Sequence, residues 1–183
     1  MARICVFCGS RPGDSDEFAA AAKTVGTFLA ECGHTLVYGG GSTGIMGILA
    51  DAVLHAGGNI IGVIPKHLAR PELMHHEVKD MRITADMHER KAVMHSLADA
   101  YIALPGGYGT LEELFEAVTW AQLDLRTREV AVLNICGLFD GLSAMLDKMT
   151  DHGFLSADCR RHLRVYLNSS QLLDWLSSLD DTP

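Results

Sequence analysis

Short apolar runs alternate with longer amphipathic stretches along this chain, the rhythm of repeated βα units laid around a parallel sheet. The runs predict strands at residues 3–8, 34–38, 59–64, 78–83, 100–104, 130–135 and 164–167. The stretches between them predict helices at 16–31, 44–55, 87–97, 111–123, 139–152 and 170–179. No linker, low-complexity tract or internal repeat interrupts the series, so residues 1–183 read as one domain. The expected class is α/β: a single-domain, Rossmann-like parallel sheet with helices on both faces. Residues 65–78, with Arg70-Pro71-Glu72 inside them, form the longest irregular segment, and loops of that kind often cover an active site.

Two glycine-rich turns interrupt the pattern where a strand hands over to a helix. Residues 104–115 read LPGGYGTLEELF, directly behind the apolar run 100–104. Pro105 fixes φ, while Gly106, Gly107 and Gly109 let the backbone turn sharply and approach a ligand closely. The N–H groups that open the next helix favour negative charge, and a phosphate is their natural guest. Thr110 and Glu113 also have the T-x-x-E spacing of a reciprocal capping box, so local structure alone accounts for the same residues. The second turn, Tyr38-Gly39-Gly40-Gly41-Ser42-Thr43-Gly44, repeats the idea after another strand. Gly39, Gly41 and Gly44 match G-x-G-x-x-G, yet residues 59–64 run into Pro65 and Lys66 with no acid to hold a ribose, which argues against NAD. Neither turn contains G-x-x-x-x-G-K-[ST], which argues against a P-loop ATPase. In open parallel sheets ligands bind at the carboxyl ends of the strands, so the two turns can share one ligand.

The helix predicted over 87–97 carries cations along a buried face. Met87, Met94 and Ala98 follow i, i+7, i+11, with Lys91 on that stripe, and Arg90 aligns with Val93, Met94 and Leu97. A half-buried cation needs an anionic partner, or else a stem that covers the core while its head reaches water; both accounts stay open here. The guanidinium fork of Arg90 suits a phosphate or a carboxylate.

Composition narrows the function. With 15 basic and 23 acidic residues the formal charge is −8, which opposes broad electrostatic binding to nucleic acid or to an anionic membrane. No apolar run approaches a transmembrane length and Met1-Ala2-Arg3 leads into strand-like sequence, so a cytoplasmic location is expected. Five cysteines, an odd number, predict reduced thiols. Cys5-x-x-Cys8 falls on a strand, whereas a redox motif needs its first thiol at a helix N-terminus. His88-Glu89 begins H-E-x-x-H, but residue 92 is alanine; His75-His76 reads as a solvated pair, and no metal site is expected.

Met87-His88-Glu89-Arg90-Lys91 followed by Pro105-Gly106-Gly107-Tyr108-Gly109-Thr110-Leu111-Glu112-Glu113 resembles the paired signature of the LOG (Lonely Guy) family, M-x-x-R-K and P-G-G-x-G-T-x-x-E. Phe7-Cys8-Gly9-Ser10, residues 37–44, 61–65 and 138–154, and Thr119-Trp120-Ala121-Gln122-Leu123 are also similar, so nearly the whole chain is covered. The resemblance implies an N-glycosyl hydrolase that cleaves AMP or a cytokinin riboside 5′-monophosphate to free base and ribose 5-phosphate without a cofactor. It implies catalytic roles for Arg90 and Glu113, and substrate contacts from Glu72, Lys91, Thr119 and the run Gly107, Tyr108, Gly109, Thr110, Leu111, Glu112. Ser10, Gly39, Gly40, Gly41, Ser42 and Thr43 are the remaining candidates for holding phosphate. Glu72 is matched by spacing, and residues 69–76 depart from the commoner plant-like sequence, which leaves the preferred base open. Family members are commonly homodimers, with the helices after Met87 and Leu111 as natural contacts, though Met87, Met94 and Trp120 serve equally as core residues. The older label of such proteins, lysine decarboxylase, lacks a lysine in a setting suited to a pyridoxal Schiff base. Two other classes compete: a nucleotide or molybdenum-cofactor carrier, and a nucleoside deoxyribosyltransferase-like enzyme.

Overall fold

A computed structural model describes residues 1–123 and 128–179. Seven strands form: β1 (Arg3–Phe7), β2 (Thr35–Tyr38), β3 (Asn59–Pro65), β4 (Asp80–Thr84), β5 (Ala100–Ala103), β6 (Val130–Leu133) and β7 (Leu163–Tyr166). The helices are α1 (Asp16–Glu31), α2 (Gly44–His55), α3 (Met87–Leu97), α4 (Tyr108–Gln122), α5 (Asp140–Asp151), α6 (Ala157–Arg160) and α7 (Ser169–Ser178). All seven expected strands and six expected helices are present, and the sheet is parallel throughout, in the order β4-β3-β2-β1-β5-β6-β7. The fold is the expected Rossmann-like α/β architecture.

The five inner strands are nearly all apolar because both faces are covered, whereas the edge strands β4 and β7 leave Asp80, Arg82 and Arg164 exposed. Along β1 the side chains alternate: Ile4 and Val6 join the cluster packed under α1, α2 and α7, whereas Cys5 and Phe7 join Met94, Leu97, Leu114 and Ala117 of α3 and α4 on the other side. Winding starts at β1, runs outward to β4, and returns through α3 to β5 on the other flank of β1. The reversal between β1 and β5 opens a crevice at the carboxyl ends of the strands, where ligands bind in sheets of this kind.

Some boundaries moved. The expected strand at 78–83 begins at Asp80, with Val78 buried just before it. Helix α6 was not expected; Ser156 caps it by accepting from the Cys159 N–H at 3.1 Å. Helix α4 starts at Tyr108, three residues before the expected 111. His75 is buried and bonded to Asp51 at 3.0 Å, so the expected solvated pair is corrected: only His76 is exposed.

Helices α1 and α2 approach so closely that a Cβ on Gly26 would lie 2.7 Å from the Leu49 carbonyl oxygen and 2.9 Å from Ala52 Cβ. That contact seats α2 and the glycine turn in front of it. A Gly26→Val substitution overpacks it and should cost about 1–3 kcal/mol, lowering the melting temperature by roughly 5 °C. A thermal melt matching the wild type would show that the two helices separate freely.

Candidate active site

Three strand-to-helix turns converge at the crevice. The turn after β1 is bolted to the one after β5, with Gly9 N–H donating to the Pro105 carbonyl at 3.0 Å and Leu104 N–H to the Phe7 carbonyl at 2.9 Å. It is bolted to the one after β2 by Met46 N–H donating to the Gly9 carbonyl at 3.1 Å and the Thr43 hydroxyl donating to the Ser10 carbonyl at 3.2 Å. Gly44 must be glycine: its φ is +60°, and a Cβ there would strike the backbone of Ser10 and Arg11.

Two helix N-termini face this junction without side-chain caps. Gly107 precedes α4 and Thr43 precedes α2, and neither supplies a capping hydrogen bond. By contrast Ser15, Asp86, Ser156 and Asn168 cap α1, α3, α6 and α7, and Asn134 Oδ1 accepts from Phe139 N–H before α5. The expected capping box at Thr110 and Glu113 is therefore corrected. Both residues lie inside α4, with Thr110 packed on Gly106 and Glu113 turned toward Arg90. A reciprocal cap does exist at α3, where Asp86 accepts from Glu89 N–H at 2.9 Å and the Glu89 carboxylate accepts from Ala85 N–H at 2.6 Å.

Arg90 Nη1 lies 3.2 Å from Glu113 Oε1, with the two side chains only 11 % and 9 % exposed. The angle of that contact makes an ion pair rather than a hydrogen bond, so Glu113 Oε1 is a buried oxygen with bonding capacity to spare. Arg90 is aimed by its Nε, which donates to the Val63 carbonyl at the end of β3 at 3.0 Å. A Cβ on Gly39 would run into the guanidinium, so the first glycine of the second turn makes room for this arginine. Burial pushes the Glu113 pKa above its ordinary 4.5; Arg90 and Lys91 pull it down, and the neighbouring Glu112 and Glu116 push it up. Burial, then the charge of Glu113, also drives the Cys8 thiol well above its ordinary range, so it remains protonated. Cys5 and Cys8 are buried free thiols.

A cavity of about 790 Å³ opens over this pair. Arg90 and Glu113 lie in its wall together with Ser10, Gly39, Gly41 and Thr43 from the first two turns. The third turn and α4 contribute Gly107, Tyr108, Gly109, Thr110 and Glu112. Six candidates lie outside it. Gly40 packs toward Ile64 and Met81, and Ser42 is spent on the Leu73 carbonyl. Lys91 pairs with Glu112 and Glu116, and Leu111 is half-buried beside α4's own core contacts. The Thr119 hydroxyl donates to the Phe115 carbonyl at 2.6 Å, and Glu72 is exposed. Both α3 cations thus have carboxylate partners, which resolves the choice between pairing and snorkelling.

Residues 46–176 match the family model described as "Possible lysine decarboxylase". The chain is 46 % identical over 178 residues to the cytokinin riboside 5′-monophosphate phosphoribohydrolase LOG7 of Arabidopsis thaliana, covering 97 % of this chain and 82 % of that one. It is 47 % identical to LOG1 of the same plant, covering 93 % and 80 %. The chain belongs to the LOG family. Among solved structures, the molybdenum cofactor binding protein from Rippkaea orientalis superposes with a TM-score of 0.74 at 20 % identity, covering 97 % and 96 %; this likeness concerns the fold. The decarboxylase wording finds no support in the cavity of this LOG protein, since no lysine lines it among the described residues.

Several lining residues escaped the sequence reading. Arg11, Gly13 and Asp14 come from the first turn, Leu68 and Leu73 from the long irregular segment, and Leu138 from the turn before α5. Gly13-Asp14 behind a strand was the available signal, overshadowed by richer glycine runs elsewhere. The irregular segment is stitched onto the second turn: His75 N–H donates to the Gly40 carbonyl at 3.0 Å, Ser42 N–H to the Leu73 carbonyl at 2.8 Å, and Gly41 bridges Met74. Among the described residues no group of three or more His, Cys, Asp or Glu is placed to hold a metal, and no helix is long and apolar enough to cross a membrane.

The raised pKa of Glu113 has a thermodynamic sign. A carboxyl whose folded pKa exceeds its unfolded value contributes stability that is fully present below the unfolded value and lost as pH rises through the folded one. Ionising Glu113 therefore costs stability. Relative to the wild type, Glu113→Gln should gain in melting temperature as pH rises from about 4.5 to 7, whatever the constant offset from leaving Arg90 unpaired; a pH-independent offset, or one that moves the other way, would contradict the burial argument.

Proposed function

We infer that this LOG-family protein hydrolyses the N-glycosidic bond of a nucleoside 5′-monophosphate, releasing free base and ribose 5-phosphate; adenosine 5′-monophosphate or its N6-substituted, cytokinin-type forms are the substrates. The observation that carries this reading is the buried Arg90–Glu113 pair, with its spare carboxylate oxygen, set between two uncapped helix N-termini. As the base departs, positive charge develops on the ribose. A fixed carboxylate in a site shielded from water stabilises that charge or takes a proton from the attacking water. Glu113 has this role. Arg90, held by Val63 and flanked by Gly39, keeps the carboxylate ionised and oriented.

The 5′-phosphate is assigned to the open amides at the start of α4 and α2, with the hydroxyls of Ser10 and Thr43 nearby. A cavity of about 790 Å³ lies within the size range of ligand sites and suits a nucleotide. Leu68 and Leu73 offer an apolar wall for the base, which makes the segment around Glu72 the place where base preference is set. Lys91 and Thr119, outside this cavity, are assigned supporting substrate contacts in a homodimer, with Leu111 and the exposed Phe115 on α4, and Leu123 just past its end, at the subunit contact. The protein works as one domain in the cytoplasm, with no cofactor.

Product chromatography tests the reading. Purified protein should release adenine or an N6-substituted adenine from the 5′-monophosphate but not from the riboside. Glu113→Gln and Arg90→Ala should each lower kcat by roughly 10²–10³-fold. Equal turnover of phosphorylated and unphosphorylated substrate would remove the phosphate assignment, and base exchange onto an added second base would favour a transferase.

A further inference from the structure

His95, Tyr101 and Glu116 lie away from the cavity lining, yet they join the three elements that build it. His95 is on α3, five residues past Arg90; Tyr101 is on β5, which runs into the turn at 105–109; Glu116 is on α4, one turn past Glu113. The buried His95 ring places Nδ1 2.9 Å from the Tyr101 hydroxyl and Nε2 3.1 Å from Glu116 Oε2. Because a carboxylate only accepts, Nε2 carries the hydrogen, and in the neutral ring Nδ1 accepts from tyrosine. The ring also lies against Trp120 of α4, with centroids 4.3 Å apart, and meets Tyr101 edge-on. Glu116 receives a second contact from Lys91 Nζ at 3.4 Å, and Lys91 pairs with Glu112 as well. Arg128 adds a bond from Nη1 to the His95 carbonyl at 2.7 Å.

Arg90–Glu113 is thus the innermost rung of a polar ladder between α3 and α4, and His95–Glu116 is its buried outer rung. The distinction matters physically. Ion pairs near the surface hold position loosely, whereas a buried ring bonded at both nitrogens and packed on a tryptophan has one geometry. We propose that His95, through its bonds to Tyr101 and Glu116, is a positioning residue that sets the separation of Arg90 and Glu113 and hence the rate of the chemical step. It touches neither substrate nor reacting atoms. The assignment rests on the glycosidic hydrolysis inferred above, since it takes Arg90 and Glu113 as the reacting pair.

Steady-state hydrolysis of AMP and thermal melts, measured on wild type, Glu113→Gln, His95→Phe, His95→Gln and Tyr101→Phe, test it. Phenylalanine keeps the volume and the tryptophan contact but loses both hydrogen bonds; glutamine keeps a donor near the position of Nε2. His95→Phe should lose about tenfold in kcat with KM unchanged, since a small misplacement of a reacting group costs rate rather than affinity. His95→Gln should recover most of that loss. A folded His95→Phe with wild-type kcat, or with its loss confined to KM, overturns the proposal, as does a glutamine variant no better than phenylalanine. Should His95→Phe fail to fold, Tyr101→Phe decides: a kcat lowered about twofold or more at constant KM supports the ladder, and wild-type kcat refutes it. Wild type turning over while Glu113→Gln does not, with His95→Phe unimpaired, sinks the positioning role alone. Wild type inert toward every 5′-monophosphate removes the parent reading and this proposal with it.

Discussion

Burying one carboxylate against a single arginine is the constraint around which this cavity is arranged. Removing an ionised group from solvent is expensive, and a lone buried acid simply binds a proton. Glu113 is buried on α4 and is opposed by two other glutamates within its own helix. What offsets this is Arg90, a cation whose own position is held by the β3 carbonyl of Val63 and by the absence of a side chain at Gly39. The pair therefore depends on four separate stretches of chain arriving together, which only the completed sheet can arrange.

The second demand is for unpaired amides. A helix start normally recruits Ser, Asp or Asn to occupy its free N–H groups, and α1, α3, α6 and α7 do so. At α2 and α4 the sequence places glycine-rich turns instead, and Thr43 turns its hydroxyl to the Ser10 carbonyl, away from its own helix. Both helices do without a side-chain cap, a device worth about 1 kcal/mol, although one first-turn amide of α2, that of Met46, is taken by the Gly9 carbonyl. The coincidence falls at the carboxyl ends of β2 and β5, the two strands that flank β1, and supports the phosphate assignment proposed above.

Most of the fold was legible because its inner strands are buried on both faces and so stand out as apolar runs, Ile4 to Phe7 and Val130 to Leu133 being plain examples. The glycine turns and the Arg90–Glu113 motif pair were legible for a related reason: close backbone approach leaves glycine, and charge on an apolar stripe demands a partner. Where reading failed, two physical meanings shared one pattern. T-x-x-E at Thr110 imitates a cap, so the true start of α4 was hidden three residues upstream. Lys91 and Arg90 are neighbours of equal charge, and only packing shows that one faces Glu113 and the other Glu112 and Glu116. His95 gave no signal, because its partners Tyr101 and Glu116 come from separate elements and no local spacing links them.

The antiparallel bridge between Gly41 and Met74 bears on how such proteins diversify. The segment that carries Leu68 and Leu73 is fastened to the glycine turn largely by main-chain bonds at Ser42 and His75, which are indifferent to the identity of the side chains between them. Mutation there can reshape one wall of the chamber while leaving the Arg90–Glu113 pair and the helix starts untouched. Substrate range can drift over generations without the chemistry being retooled.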